Sequence, residues 1–267
     1  MPREFSPSYR LVVRLVRPVL RATTRRDWRG AEHLPAGGFV AVSNHLSYSD
    51  PFTLAHFLVD HGIPPRFLAK EAVFELPVAG RIVRAAGQIP VRRGSVDAAR
   101  ALQAAVDAVR AGECVAVYTD GTLTRDPGLW PMTGKTGAAR IALSTGAPVI
   151  PIAQWGPQEL LEPYGKRPHL LRRPTVHVWA GPPVDLSPWQ DRPLDAATLN
   201  EATAAIVGAV TGLLEQIRGE RAPAKRWDPR RHDQPLTGDW RKQDHKQDHE
   251  QDHKQDQQRA AGRGEAR

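Results

Sequence analysis

Apolar and polar residues follow two different rhythms along the chain. Short apolar runs with the length of a buried strand lie at residues 39–42, 113–119 and 147–153. Between and after these runs, apolar residues recur every three or four positions, as they do over residues 199–217. Strands that alternate with helices are typical of an α/β layered domain, so we predict a largely parallel central sheet flanked by helices.

The same pattern predicts the other elements of the domain. Gly and Pro residues separate them, because both residues interrupt regular structure. The predicted elements are a strand at 66–70, one or two short helices within 71–86 interrupted at Pro77, a helix over 99–109 that ends at Gly112, a helix over 138–144 that closes at Gly146, and a strand at 175–179.

The stretch from Tyr9 to Ala22 is predicted to be a helix with a basic stripe and a broad apolar face. The stripe covers about 60° of the helix circumference and consists of Arg10, Arg14, Arg17 and Arg21. Such a helix is typical of an interfacial membrane anchor and is too short and too charged to span a bilayer. The alternative is a helix packed on the domain with its arginines in water. Pro18 is predicted to kink or divide this helix.

Composition limits the classes of partner and compartment. The 267 residues carry a formal net charge of +8, which suits either nucleic acid or an anionic membrane surface. The basic amphipathic helix favours the membrane. Cys114 is the single cysteine, so no disulfide forms within one chain and a reducing compartment is expected.

Shifts in composition divide the chain into three predicted segments. They are a membrane-associating segment over 1–32, a globular domain over 33–220 and a low-complexity charged tail over 221–267. The tail repeats Gln-Asp-His, which on a helix would place three histidines on one side, His245, His249 and His253. Such histidines suit a transition metal. A polar segment without core-forming residues is more typical of disorder, so we expect a disordered tail without a metal.

Candidate chemistry lies in the turn after the first apolar run. His45 and Asp50 are five residues apart, between the predicted strand and a predicted helix with Pro51 at its first position. A neutral imidazole with a pKa of about 6.5 accepts a proton from an alcohol near neutral pH. A carboxylate on the other ring nitrogen fixes the tautomer and stabilises the imidazolium. The alternative is that Asp50 caps the helix and His45 is a polar turn residue.

Four sequence blocks around this turn carry a family resemblance. Asn44-His45, followed by Asp50, resembles the first motif of the glycerolipid acyltransferases, the family that contains the bacterial 1-acyl-glycerol-3-phosphate acyltransferases. The other blocks follow in the order of the family, at residues 87–93, 118–122 and 149–152. The resemblance implies that His45 is the catalytic base, that Asp50 orients it, and that Asn44 belongs to the substrate site.

The second block implies a phosphate site. Arg93 matches the arginine of the family, and Arg92 adds a second guanidinium. A guanidinium binds phosphate oxygens through two parallel hydrogen bonds and remains charged at cellular pH. Seen without the other blocks, this pair is interpreted as solvated charge at the end of a strand.

The third block departs from the family pattern Phe-Pro-Glu-Gly-Thr-Arg-Ser. Asp120 shortens the family glutamate by one methylene, and Leu123 replaces an arginine that helps the family to hold the acceptor phosphate. Arg125 is predicted to supply that charge from two residues further on. Gly121 and Thr122 keep the family residues, and Gly121 is expected to form a tight turn that brings backbone N–H groups near a substrate oxygen.

The resemblance implies a peripheral enzyme on the cytoplasmic face of the cell membrane. We predict an O-acyltransferase that moves a fatty acyl group from an acyl thioester, on coenzyme A or acyl carrier protein, to the free hydroxyl of 1-acyl-glycerol-3-phosphate, forming phosphatidic acid. Its partners would be these substrates and an anionic membrane surface, without nucleic acid, metal or cofactor. The alternatives are another lysolipid or a glycolipid as acceptor, and a catalytically weak relative that binds lipid.

Overall fold

The protein, seen here in a computed structural model, is described for residues 5–77, 79–91, 96–232 and 234. Contacts divide the chain into a unit of residues 1–227 and a second unit of residues 228–267. The first unit holds the sheet and its helices. The described part of the second unit contains a short 3₁₀ helix at Pro229–His232. The predicted tail repeat, including its histidines, lies outside the described residues.

Seven strands form one central sheet. They are β1 (Arg25–Arg29), β2 (Phe39–Ser43), β3 (Pro65–Lys70), β4 (Ile89–Val91), β5 (Cys114–Tyr118), β6 (Val149–Trp155) and β7 (Thr175–Ala180). Their order across the sheet is β1-β7-β6-β2-β5-β3-β4. Neighbouring strands run parallel except β6 and β7, which are antiparallel. This mostly parallel sheet with flanking helices confirms the predicted fold class.

Nine helices accompany the sheet within the described residues. They are α1 (Pro7–Thr23), α2 (Asp50–Asp60), α3 (Glu71–Phe74), α4 (Ala79–Ala85), α5 (Val96–Arg110), α6 (Gly137–Thr145), α7 (Pro157–Leu160), α8 (Ser187–Gln190) and α9 (Ala196–Arg218). Most of the predicted helices and strands are present with small shifts at their ends. Gly146 ends α6 with a left-handed φ of +68°, as the sequence predicts.

The core lies on both faces of the sheet. On β2, Val40 and Val42 point into a cluster with residues of α5, α6 and α9. Phe39 and Ala41 point the other way, into a cluster with α2. Because successive side chains of a strand face opposite sides, a strand buried on both faces is apolar throughout, which is why this run is recognisable in the sequence.

Two expectations at the N-terminal end need correction. The sheet begins with β1 at Arg25, ahead of His33, where the sequence places the start of the globular domain. This strand is hard to predict because it lies at the edge of the sheet and reads Arg-Arg-Asp-Trp-Arg. In addition, α1 continues through Pro18 and is not divided there.

One helix of the described residues, α9, has the length and apolar content to cross a bilayer. Its apolar residues pack against the sheet, and a row of them is buried: Leu199, Ile206, Val210 and Leu214. A core helix of this kind meets the same criteria of length and composition as a membrane span. The apolar sequence of α9 is therefore accounted for by the domain core.

The direction of the strands brings several connections to one edge of the sheet. β2 and β6 are parallel, and both end at this edge. β7 runs the other way, so its early residue His177 lies opposite Trp155, the last residue of β6. β1 is parallel to β7 and begins beside it, where the Arg25 N–H donates to the Pro174 carbonyl at 2.9 Å. The turn after β2 and the segments that enter β7 and β1 therefore share this edge.

Candidate active site

The turn between β2 and α2 brings His45 and Asp50 together. Asp50 is the first residue of α2, after the N-cap residue Ser49, and Pro51 follows it. The Asp50 carboxylate turns back toward the loop, so that its Oδ2 lies 2.8 Å from His45 Nδ1. The Asp50 side chain is fully buried, whereas 14% of the His45 side chain is exposed.

Backbone donors hold the Asp50 carboxylate in this position. The N–H groups of Leu46 and Ser47 donate to Oδ2 at 2.5 and 2.9 Å. These two hydrogen bonds fix the orientation of the carboxylate group. The carboxylate therefore accepts from the loop before the helix and does not act as the cap of α2. Since it also accepts the Nδ1–H of His45, the ring nitrogen left to take a proton is Nε2.

The ring of Tyr118 lies flat against the His45 imidazole. The ring centroids are 4.0 Å apart and the planes differ by 14°. The register of β2 and β5 sets this contact, because Ser43 pairs with Tyr118. The phenol hydroxyl is buried. Burial and the nearby Asp50 carboxylate raise the pKa of Tyr118 well above its usual range, so the hydroxyl remains protonated.

Gln154 of β6 joins the turn between β2 and α2 to the neighbouring strand. Its backbone N–H donates to Asn44 Oδ1 at 2.8 Å, and its carbonyl accepts from Asn44 Nδ2 at 2.9 Å. Its side-chain amide contacts Thr53 of α2 at 2.7 Å and Ser43 of β2 at 3.2 Å. The buried amide of Asn44 thus helps to hold the turn in place. Its contact with substrate stays a prediction.

Two serines between His45 and Asp50 anchor the turn to the segment after β6. Ser49 Oγ donates to the Pro157 carbonyl at 2.9 Å, and Ser47 Oγ donates to the Leu161 carbonyl. The two hydroxyls lie 3.0 Å apart. The turn is therefore fixed on one side by strand pairing and on the other by these side chains.

The loop after β5 borders the turn between β2 and α2. The Thr124 N–H donates to the His45 carbonyl at 2.8 Å. Gly121 has a φ of +62°, a left-handed conformation that favours glycine. Gly121 and Thr122 are half-buried. The structure thus brings the third sequence block beside His45, and the contact of this block with substrate stays a prediction.

Asp120 of the same block is buried. It is 2% exposed, and its Oδ1 accepts the Met132 N–H at 3.0 Å. Burial raises the pKa of its carboxyl to about 7, although the hydrogen bond from Met132 and the charge of Arg226 act in the opposite direction. The carboxyl group supports the loop in this position, and its contact with substrate stays a prediction.

The structure describes only some of the residues predicted at the acceptor-phosphate site. Arg92 and Arg93 lie outside the described residues. Leu123 and Arg125 are described, and they are 2% and 3% exposed. Leu123 therefore contributes apolar packing where the family has a charge. That Arg125 supplies the positive charge missing at Leu123 stays a prediction.

The sequence alone misses contacts that depend on distant segments. It identifies Tyr118 only as part of the third block and does not identify Gln154 at all. One signal was available for Tyr118, which lies near the end of the strand predicted at 113–119, as His45 lies after the end of the strand predicted at 39–42. Parallel strands that end at one edge bring their last residues together.

Comparison with known proteins agrees with this geometry. The profile of the family described as Acyltransferase matches residues 25–155, from the start of β1 to the end of β6. Residues 25–155 are therefore similar to the acyltransferase family. The matched region contains the whole turn between β2 and α2 together with Tyr118 and Gln154.

Two relatives and one solved structure indicate how far the similarity extends. A chloroplastic 1-acyl-sn-glycerol-3-phosphate acyltransferase of Brassica napus is 33% identical over 143 residues, which are 51% of this chain and 39% of that protein. A lyso-ornithine lipid O-acyltransferase of Pseudomonas aeruginosa is 31% identical over 112 residues, 42% of this chain and 41% of that protein. This chain thus spans less than half the length of these relatives.

The solved structure extends the similarity to most of the fold. It is the crystal structure of the 1-acyl-sn-glycerophosphate acyltransferase PlsC from Thermotoga maritima, with a TM-score of 0.58 and 21% sequence identity. The superposition covers 78% of this chain and 82% of that one. At this level of identity the likeness establishes the shared fold.

Proposed function

We propose that the chain transfers a fatty acyl group from an acyl thioester, carried by coenzyme A or acyl carrier protein, to the free hydroxyl of 1-acyl-glycerol-3-phosphate, with phosphatidic acid as the product. The observation that carries this proposal is the 2.8 Å contact between His45 and the fully buried Asp50. The names of the relatives in plant chloroplasts support the choice of acceptor.

In the proposed step, His45 Nε2 takes the proton of the acceptor hydroxyl while the hydroxyl oxygen attacks the thioester carbonyl carbon. The C–O bond of the new ester forms, the C–S bond breaks, and the imidazolium gives its proton to the leaving thiolate. Asp50 stabilises the imidazolium through the Nδ1–H between these two events. General-base catalysis of this kind contributes about 10²–10⁴ in rate.

The other predicted site residues are assigned to substrate binding. Arg93, with Arg92 beside it in sequence, is proposed to hold the acceptor phosphate through charge-assisted hydrogen bonds. Arg125 is proposed to add charge near the same phosphate. Gly121 and Thr122 shape the site beside the catalytic histidine. No step of this reaction calls for a metal or a cofactor.

We further propose that the N-terminal helix α1 associates with an anionic membrane, so that the protein is peripheral on the cytoplasmic face. The exposed face of α1 supports this proposal, since Leu11, Leu15 and Val19 are 59%, 65% and 51% exposed. These residues are four apart and therefore form one row along the helix. An exposed apolar row on an arginine-rich helix is the composition of an interfacial anchor.

The arginine stripe of α1 divides between two environments. Arg17 Nη2 and Arg21 Nη2 lie 2.6 and 3.4 Å from the two carboxylate oxygens of Asp60 in α2. Arg10 and Arg14 are exposed. The sequence leaves two alternatives for α1, a helix packed on the domain and a membrane anchor. In the structure, one side of α1 packs on the domain, and another side is exposed and is proposed to contact the membrane.

A second acceptor class, another lysolipid or a glycolipid, has support of its own. The relative that acts on lyso-ornithine lipid belongs to this class by name, and the buried Leu123 removes a charge that the family places in the third block. A lipid-binding relative without activity is less well supported, because the His45–Asp50 pair is intact.

The test is acyl transfer by the purified protein from acyl-CoA and from acyl carrier protein to a panel of acceptors. We expect transfer to 1-acyl-glycerol-3-phosphate, and we expect Arg93→Ala to raise the acceptor KM about tenfold or more while the donor KM changes little. Preferred transfer to lyso-ornithine lipid would replace the assigned acceptor. Absence of transfer to any acceptor from either donor would contradict an enzymatic role.

A further inference from the structure

The segment between α7 and β7, residues 161–174, exposes leucines in a strongly basic setting and is named here the basic loop. Leu171 is 98% exposed and Leu170 is 45% exposed. Cations flank this pair on both sides, and all of them are exposed: Lys166, Arg167, Arg172 and Arg173. A single exposed leucine is ordinary on a protein surface. An adjacent pair between cations has the composition of a membrane-surface contact.

The charge of the basic loop is not neutralised within the described part of the chain. Its one carboxylate, Glu162, lies 3.4 Å from His169. None of the four flanking cations lies within ion-pair distance of a carboxylate among the described residues. The loop therefore presents a net positive surface that is complementary to an anionic partner.

The basic loop borders the catalytic turn. It begins at Leu161, whose carbonyl accepts a hydrogen bond from Ser47 Oγ. Further along the loop, the ring of Tyr164 stands edge-on to the half-exposed ring of Tyr48, with centroids 6.2 Å apart. Ser47 and Tyr48 both lie between the catalytic histidine and aspartate in sequence. The loop thus belongs to the surface that surrounds His45.

The other end of the basic loop meets the end of α1. The Pro174 carbonyl accepts from the N–H of Arg25, the first residue of β1, two residues after α1 ends. This junction lies at the edge of the sheet where the catalytic turn begins, because β7 is antiparallel to β6. The exposed leucines of the loop and the exposed apolar row of α1 therefore belong to segments that meet at one edge of the molecule.

We propose that the basic loop is a second membrane contact, in which Leu170 and Leu171 enter the apolar layer of an anionic bilayer and the four flanking cations bind lipid phosphates. The inference rests on the proposed function, since a lipid acceptor has to pass from the bilayer to His45. Each cation close to an anionic leaflet adds about fivefold in partitioning. Contacts by α1 and by the loop reinforce each other because they are on one chain.

An acidic acyl carrier protein is the competing partner for a basic surface next to the active site. The bilayer is favoured because both the basic loop and α1 expose apolar residues. The loop exposes Leu171 and Leu170, and α1 exposes Leu11, Leu15 and Val19. Apolar residues spread over two segments suit an extended apolar layer, whereas a small acidic protein would cover mainly the cations.

A local probe tests the proposal, because α1 by itself would keep a loop variant on vesicles. Cys114 is fully buried, so Leu171→Cys can carry an environment-sensitive thiol fluorophore at one position. Leu194→Cys, at an exposed leucine before α9, is the matched control. With phosphatidylcholine vesicles containing one-third phosphatidylglycerol, we expect a blue shift and quenching by spin-labelled lipid at position 171, and neither effect at position 194.

A second measurement uses the double variant Leu170→Gln, Leu171→Gln. Partitioning onto the same vesicles should fall about tenfold or more, because two leucines no longer leave water. Turnover of a long-chain acceptor embedded in vesicles should fall with it, while turnover of a water-soluble short-chain acceptor should not change. Leu194→Gln is expected to alter none of these quantities.

A fluorophore at position 171 that does not respond to vesicles would overturn the proposal, and so would a response to an acidic acyl carrier protein alone. The fluorescence measurement requires no turnover. A protein whose loop enters vesicles but which transfers no acyl group would therefore contradict only the proposed function. A protein that transfers acyl groups while position 171 remains in water would contradict only the role of the basic loop.

Discussion

Two His–Asp pairs in this molecule have nearly the same hydrogen bond and different surroundings. His45 Nδ1 lies 2.8 Å from Asp50 Oδ2, and His177 Nδ1 lies 2.7 Å from Asp27 Oδ2. Asp50 is fully buried, while Asp27 and His177 are each 27% exposed. The distance between the two groups therefore does not distinguish a candidate catalytic pair from a pair on the surface.

In the surface pair, the Asp27 carboxylate accepts hydrogen bonds from several donors besides His177. Asp27 also accepts from Trp179 Nε1 at 3.1 Å and from Arg29 Nε at 3.2 Å. Slight burial raises the pKa of Asp27, but the hydrogen bonds from His177, Trp179 and Arg29 outweigh it and lower the pKa overall. These residues belong to β1 and β7, so the cluster joins the edge strand to its neighbour.

In the His45–Asp50 pair, the surrounding residues fix the orientation of the imidazole more tightly. Backbone N–H groups hold Asp50, the ring of Tyr118 covers one face of His45, and Gln154 joins the turn to β6. A base that is already oriented needs no reorganisation when the reaction begins. Preorganisation of the ring, more than the presence of a carboxylate, separates the two pairs.

The largest difference between the pairs should appear when each histidine is removed. His45→Ala is expected to lower acyl transfer by about 10²–10⁴, because no general base remains. His177→Ala is the matched control and is expected to change kcat less than about twofold. Steady-state kinetics together with circular dichroism will measure both effects. Near-normal turnover by His45→Ala would contradict the assignment of the base.

The second-largest difference is expected between the Asp50→Asn and Asp27→Asn variants. Asp50→Asn is expected to lower kcat about 100-fold, since an amide does not stabilise the imidazolium and favours the wrong tautomer. Its effect on stability comes from weaker hydrogen bonds with Leu46 and Ser47, because Ser49 and not Asp50 is the N-cap residue. Asp27→Asn should leave kcat unchanged. Equal losses of kcat in the two variants would remove the distinction between the pairs.

Removal of the Tyr118 ring, which stacks on His45, is expected to have a moderate effect on kcat. Tyr118→Leu removes the aromatic face and should lower kcat about fivefold, in line with about 1 kcal/mol for an aromatic contact. Tyr118→Phe keeps the ring and should retain most of the activity. KM should change little in either variant. If Tyr118→Phe loses as much activity as Tyr118→Leu, the buried hydroxyl matters and the stacked ring does not.

The smallest expected effect is the pH-dependent contribution of Asp27 to the free energy of unfolding. The folded-state pKa of Asp27 lies below its unfolded value, so its contribution is present above the unfolded pKa of about 3.9 and is lost as pH falls through the folded pKa. Asp27→Asn should therefore lower the free energy of unfolding by about 0.5 kcal/mol at neutral pH, a value suited to a partly exposed pair.

Chemical denaturation of wild type and Asp27→Asn at several pH values will test this expectation. The difference between the two proteins should shrink below about pH 4, where the carboxyl of wild type takes up a proton. A difference that grows as the pH falls would mean that Asp27 is destabilising in its ionised form.

Features encoded within a short stretch were predictable from the sequence. The His45–Asp50 pair is one of them, because a strand, a turn and a helix start follow each other within residues 39–51. The buried strands are another, since strands covered on both faces are apolar along their whole length. The alternation of these elements was enough to predict a mostly parallel sheet.

Features that join distant segments were decided by the tertiary structure. The Asp27–His177 pair spans 150 residues, and it exists because β1 and β7 pair in one register. The stacking of Tyr118 on His45 depends in the same way on the pairing of β2 and β5.

The orientation of α1 shows the physical reason most directly. The helical period of the sequence separates an arginine stripe from an apolar face, and the usual expectation is that the apolar face packs on the domain. In the structure Arg17 and Arg21 turn toward Asp60, while Leu11 and Leu15 remain exposed. Local sequence specifies which residues share a helix face. Which face meets the domain depends on the partner that the rest of the fold supplies, and here that partner is a carboxylate.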